Sequence, residues 1–109
     1  MRIVVCVKQV LALGDEVEFQ DDGLDVDPDY LDPALNEWDS FATEEALLLR
    51  ERLGGEVVVV TCGSKGSEAA LRRCLAMGAD RAIRVEADGR DPFTVARALA
   101  EAVQAEGPD

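Results

Sequence analysis

Histidine is absent from this 109-residue sequence, and with it go the Ser-His and Cys-His nucleophiles and the commonest general base at neutral pH. An independent hydrolase has little to work with. Cysteine is sparse: Cys6, Cys62 and Cys74 are an odd number without Cys-x-x-Cys spacing. Neither a disulfide framework nor a zinc site is suggested, and a reducing, cytoplasmic setting is expected. Long apolar runs are also missing. The opening stretch is apolar for only a few residues before Lys8, too short for a signal-peptide core or a membrane span. Positive charge is scarce as well. Eleven Lys and Arg against 23 Asp and Glu leave a formal net charge of −12, which repels phosphate backbones and anionic lipid. Nucleic acid and membrane surfaces drop out as default partners, and a basic patch on another protein suits the chain better.

What is present is ordinary globular material, with 48% hydrophobic and 31% charged residues, far from the regime of disorder. The length fits a single domain over residues 1–109. The acidity is uneven: residues 15–32 carry many carboxylates and no Lys or Arg, so self-repulsion favours an exposed, extended segment.

Residues 3–7 form a nearly continuous β-branched apolar run, the pattern of a strand buried on both faces in a parallel sheet. After Gly14, residues 16–20 and 24–27 alternate apolar with polar around Asp22-Gly23, a hairpin signal. Pro28 and Pro33 make the stretch to Leu35 a connecting loop. From Glu37 to Leu53 the residues Trp38, Ala42, Ala46, Leu49 and Leu53, widened by Phe41 and Leu48, recur at helical steps and predict a buried stripe. Asn36 is the expected N-cap and Gly54-Gly55 the stop. Residues 56–62 predict a second buried strand. Ser67 is expected to cap a helix ending at Gly78, with Ala70, Leu71, Cys74 and Leu75 inward. Residues 81–85 predict a shorter strand near a sheet edge. Asp91-Pro92 opens a last helix whose buried stripe is Phe93, Ala96, Leu99, Ala100 and Val103, and Gly107-Pro108 ends it.

Strands alternating with helices predict a Rossmann-like α/β domain, a parallel sheet with flanking helices, opening strand in the middle, and a small β-hairpin excursion after strand 1. No strand remains to build the sheet beyond the first one, so the domain is expected to be truncated before its next strand.

In open α/β sheets ligands bind beyond the carboxyl ends of the strands, which here means residues 6–8, 62–67 and the loop before Glu37. The Thr61 to Ser67 turn offers backbone N–H groups to a phosphate, yet matches neither phosphate-loop pattern. A tight structural loop is the stronger reading. Asp25, Asp27 and Asp29 imitate a calcium loop, but Tyr30 and Asn36 stand where glycine and glutamate are required; no metal site is assigned. Cys6 and Cys62 fall near the ligand edge, although core packing is the readier role for both, and Cys74 belongs to the core. Trp38 reads equally well as core anchor or ligand wall.

Three segments, in order and spacing, resemble one known family. Val4-Val5-Cys6-Val7-Lys8-Gln9-Val10, the run from Leu35-Asn36-Glu37-Trp38-Asp39 to Glu44-Glu45-Ala46-Leu47, and Ala70 to Ala82 with its Ala76-Met77-Gly78-Ala79-Asp80-Arg81 core are similar to electron-transfer flavoprotein β subunits. The resemblance implies an adenine-nucleotide-binding domain of the HUP type and an electron carrier subunit with no catalytic residues of its own. It implies AMP as a structural nucleotide, or a second FAD in electron-bifurcating members, and pairing with an α subunit around a shared FAD. Acyl-CoA or other dehydrogenases would be the electron donors. Carried over by position, Cys6, Asn36, Glu37, Trp38, Asp39 and Cys62 match the family's nucleotide contacts. Glu37 replaces the family's proline, Leu11-Ala12 its Pro-Asp, and the family's phosphate-binding segment is expected beyond Asp109. The alternative is a stand-alone nucleotide-binding module resembling universal stress proteins. A third reading is a domain that binds nothing and dimerises through its unpaired sheet edge.

Overall fold

The computed structural model describes residues 1–12, 32–87 and 91–109. Strands β1 (Arg2–Cys6), β4 (Glu56–Cys62) and β5 (Arg81–Val85) form a parallel sheet in the order β1-β4-β5, and β2 (Gln9–Ala12) pairs antiparallel with β3 (Asp32–Leu35). Helices α1 (Glu37–Leu53), α2 (Glu68–Met77) and α3 (Pro92–Glu106) supply the connections, with a 3-10 turn at Lys65–Ser67. The Rossmann-like expectation is met.

Each of the four valines of β4 from Val57 to Val60 is fully buried, because a central strand is covered on both faces. Alternation sends them to opposite sides. Val57 and Val59 join Val5, Val7, Ala46, Leu47, Leu71 and Cys74 in the core under α1 and α2, while α3 packs across β4 from the other face. The opening segment was expected in the middle of the sheet. Among the described residues it lies at the edge, with Val5 buried, Ile3 and Val4 only half-buried and Cys6 exposed.

The alternating segments 16–20 and 24–27 and the Asp25, Asp27, Asp29 pattern lie outside the described residues. Residues 32–35 were expected as loop and are strand. Pro33 sits opposite Leu11 in a two-stranded ladder, where a proline can turn its missing donor to the unpaired side.

Helix α1 keeps its expected limits and its Asn36 cap, whose Oδ1 accepts the Trp38 N–H at 3.0 Å. Its buried face differs from the expected one. Thr43, Ala46 and Leu47 are inside, whereas Trp38, Phe41, Leu48 and Leu53 are exposed. Two polar anchors fix the rotation: Asp39 reaches Lys8 N at 2.7 Å and Arg50 reaches Asp80 at 2.7 Å, and at 100° per residue these share the side of 43, 46 and 47.

Helix α2 buries Ala70, Leu71 and Cys74 as expected, but Leu75 is exposed. Ser67 does not cap it through its side chain; its hydroxyl donates to Ser64 O at 2.6 Å. The helix N-terminus is met from afar, by the Gln9 amide oxygen accepting the Ala70 N–H at 3.1 Å. Helix α3 has its expected Asp91 cap, first-turn Pro92 and left-handed Gly107. Phe93, expected inside, is exposed, as are Ala96 and Ala100, while Val95, Leu99 and Val103 are half-buried.

Candidate functional site

Parallel pairing sets the residues that leave β1 and β4 side by side. Cys6 lies opposite Val60, two residues short of Cys62, and Cys62 lies opposite Val85. All three strands end on one rim. Across that rim the amino-terminal half of α3 closes a cleft of about 380 Å³ lined by Cys6, Val7, Lys8, Asp39, Cys62, Pro92, Val95, Ala96 and Leu99. The size and the mainly apolar lining with a few polar groups are those of small-ligand sites.

The chain leaving β1 is held rigidly. Val7 N–H donates to Val60 O at 2.9 Å and Val7 O accepts the buried Thr61 hydroxyl at 2.7 Å. Lys8 O accepts the Asn36 N–H at 2.9 Å, while Lys8 N–H donates to Asp39 Oδ2 at 2.7 Å. The first turn of α1 is thus bolted to the exit of β1. Thr43 Oγ1 donates to Asp39 O at 2.8 Å and steadies that turn from inside.

With Val7 and Lys8 fully engaged, their backbone groups are not open to a ligand. Neighbouring residues of a strand present N–H and C=O to opposite sides, so Val7 facing β4 leaves the Cys6 N–H and C=O facing away from it, at the sheet edge. Cys6 has an unexpectedly open side chain too; the core role suggested by residue type is corrected by its exposure. A strand end beside a cleft lacks the covering that the strand interior enjoys. Partial desolvation of the thiol, followed by the Asp39 charge, still pushes Cys6 up from its ordinary range, which disfavours the thiolate. Cys62 is half-buried on the same rim, and Cys74 is fully buried, 3.8 Å from Thr43 Oγ1.

Of the six residues matched to nucleotide contacts, the structure brings Cys6, Asp39 and Cys62 to one cleft. Asn36 caps α1 and holds Lys8 from behind. Glu37 lines a separate groove of about 450 Å³ between β3 and α2 with Pro33, Ala34, Leu35, Ser40, Ala69, Ala70 and Arg73. Trp38 is 78% exposed and meets Phe41 edge to face at 6.3 Å between ring centres; it is not in the cleft lining. The wall contributed by α3 was not foreseen. Its signal was available in the three- and four-residue spacing of Pro92, Val95, Ala96 and Leu99, once a right-handed crossover places that helix over the strand ends.

The Thr61 to Ser67 turn behaves as a structural loop. Gly63 N–H donates to Val85 O, Gly63 O accepts Arg84 Nη1 at 3.2 Å, and Ser67 N–H and hydroxyl both go to Ser64 O. Among the described residues no group of His, Cys, Asp or Glu is arranged to hold a metal ion, and no helix is long and apolar enough to cross a membrane.

Comparison with known proteins adds to this geometry. Residues 24–109 match the family model described as the electron transfer flavoprotein domain. The chain is 46% identical to the electron transfer flavoprotein subunit beta of Methylophilus methylotrophus, with all of this chain and 43% of that protein covered. It is 40% identical to the subunit beta of Syntrophomonas wolfei, again covering 43% of it, and 39% identical to that of Bradyrhizobium diazoefficiens, covering 44%. The chain spans less than half the length of these curated relatives.

Proposed function

The chain belongs to the electron transfer flavoprotein family, and from that premise we propose that it is part of a β subunit whose cleft at the ends of β1 and β4 holds the adenosine end of AMP. The observation that carries this reading is the shared rim. Cys6, Cys62 and Asp39 meet under α3 in a cleft of suitable volume, at the position where open α/β sheets bind ligands.

The residues present fit that group. Apolar Val95 and Leu99 offer a face to the flat base, and the outward N–H and C=O of Cys6 offer a donor and an acceptor to its edge. Asp39 has one carboxylate oxygen committed to Lys8 and one left to accept a ribose hydroxyl. Lys8 supplies the positive charge at the mouth. The role of the chain is to bind and orient the nucleotide, exclude water from the base, and keep the rim rigid through the Asn36, Asp39 and Lys8 bonds. FAD, shared with an α subunit, would supply the electron-carrying chemistry, with acyl-CoA or other dehydrogenases as donors in a cytoplasmic setting. The chain's own groups carry no catalytic step in this reading. Electron-bifurcating members of the family with a second FAD would use the same cleft for its adenosine part.

Calorimetric titration with AMP, ATP and FAD tests the proposal. AMP binding equal to or tighter than ATP supports it. A clear preference for ATP favours a stand-alone module resembling universal stress proteins.

A further inference from the structure

Helix α1 is apolar on two faces, and among the described residues one of them packs into the core while the other is exposed. Thr43, Ala46 and Leu47 enter the core, yet Trp38, Phe41 and Leu48 stay 78%, 58% and 43% exposed on the opposite side. Ordinary surface helices have one apolar stripe, and contiguous exposed apolar surface of this kind marks an interaction site.

The outer stripe has a definite shape. Positions 38, 41, 45, 48 and 52 follow alternating steps of three and four, the spacing of a helix-packing seam; Trp38, Phe41 and Leu48 supply its apolar knobs, and Glu45 and Arg52 interrupt it. Glu37, Glu44 and Glu51 recur every seven residues and, at 100° per residue, run as a row along one edge of the stripe. A row of like charge beside an apolar seam selects a partner with the opposite charge. A second copy of this chain fits poorly, because each carries a formal charge of −12 and the two would repel.

We infer that the outer stripe of α1 is the docking surface for a helix of a partner protein, the α subunit, that presents apolar residues flanked by Lys or Arg. This rests on the reading of the chain as one subunit of a two-subunit carrier. Trp38 and Phe41, already paired edge to face, are the anchors, in keeping with the weight aromatic residues carry at interface centres.

Purified α subunit from the same organism is titrated into the full β subunit, and binding is read from Trp38 fluorescence and by calorimetry. Trp38 is the only tryptophan of these 109 residues, so replacing any tryptophan elsewhere in the full β subunit by Phe, and labelling the α subunit with non-fluorescent 4-fluorotryptophan, isolates its signal. Docking moves its emission to the blue. Phe41→Ala with Leu48→Ala weakens the complex at least about tenfold, while free-subunit melting temperature and AMP affinity stay unchanged. Glu44→Lys with Glu51→Lys slows association and flattens its salt dependence. Binding by both double variants as tight as that of the unaltered subunit overturns the inference alone. Failure of the unaltered subunit to bind removes the two-subunit reading and the inference together. A homodimer dissolved by the same substitutions gives the stripe to a second copy and also overturns it.

Discussion

Asp80 grips Val57 from two sides: its N–H donates to the Val57 carbonyl at 2.9 Å, and its carboxylate accepts the Val57 N–H at 2.8 Å. The same carboxylate oxygen takes Arg50 Nη1 at 2.7 Å, and Arg50 also donates to Gly78 O at 2.9 Å. One residue therefore ties α1, the turn after α2 and the start of β4 together. The Ala76 to Arg81 run, the most recognisable part of the family resemblance, is a fastener at the end of the sheet opposite the cleft.

Asp80→Ala is expected to lower stability by about 1–2 kcal/mol, once the solvent-exposed side of the carboxylate is allowed for. A melting curve reads this as a drop of roughly 4–8 °C per kcal/mol. AMP affinity should not change, since the cleft lies at the other end of the strands. An equal loss of both would show that the two ends are not independent.

Acid sensitivity follows from the same groups. The Val57 N–H, then Arg50, hold the Asp80 carboxyl below its ordinary value, and hydrogen bonds from Arg81 do so for Glu56 and Glu106. Because the folded values are depressed, the stabilisation is present above the ordinary values of 3.8 and 4.5 and is lost as pH falls through the lower folded ones. Denaturant midpoints of the wild type and Arg81→Gln should differ at pH 7 and converge as the pH falls from 4.5 through the lower folded values of Glu56 and Glu106. Curves that stay parallel through this window would contradict the assignment.

Much of this architecture is legible in the residues. Limits of α1, β4 and β5 agree with the Asn36 cap, the four-valine run and the Gly54 and Gly78 stops, because those signals are local. The helix faces are not legible in the same way. Counting large apolar residues put Trp38, Phe41 and Phe93 inside, whereas Thr43 and Leu47, left off that stripe, face the sheet beside the expected Ala46, as polar bonds from Asp39 and Arg50 dictate. Such bonds join residues 31 and 30 positions apart and leave no mark on periodicity. The cleft was legible in part: Cys6, Asp39 and Cys62 followed from strand ends and resemblance, but α3's contribution needed the crossover in three dimensions.

At the cleft, Asp39→Ala releases the Lys8 N–H and removes the free carboxylate oxygen. AMP affinity should fall about tenfold or more, with circular dichroism unchanged. Asp39→Asn keeps an acceptor for Lys8 and should recover part of the loss. Unaltered affinity in Asp39→Ala would take Asp39 out of the site.

Gly55 has φ of +111°, and a Cβ there would fall 1.7 Å from Met1 O, the acceptor of the Glu56 N–H. Gly54, also at positive φ, has open space. Gly55→Ala should therefore destabilise more than Gly54→Ala, by about 1–3 kcal/mol beyond backbone strain common to both. Equal melting temperatures for the two variants would contradict the close approach of the first residue to this turn.

Amide chemical-shift mapping with AMP tests the central claim most directly. The adenosine site at the ends of β1 and β4 predicts that the amides of Cys6, Val7, Lys8, Asp39, Cys62, Val95 and Leu99 move together and saturably, while those of Ala69, Ala70 and Arg73 in the other groove stay still. Shifts confined to that groove or to the Thr61 to Ser67 turn, or none at saturating AMP, would contradict it.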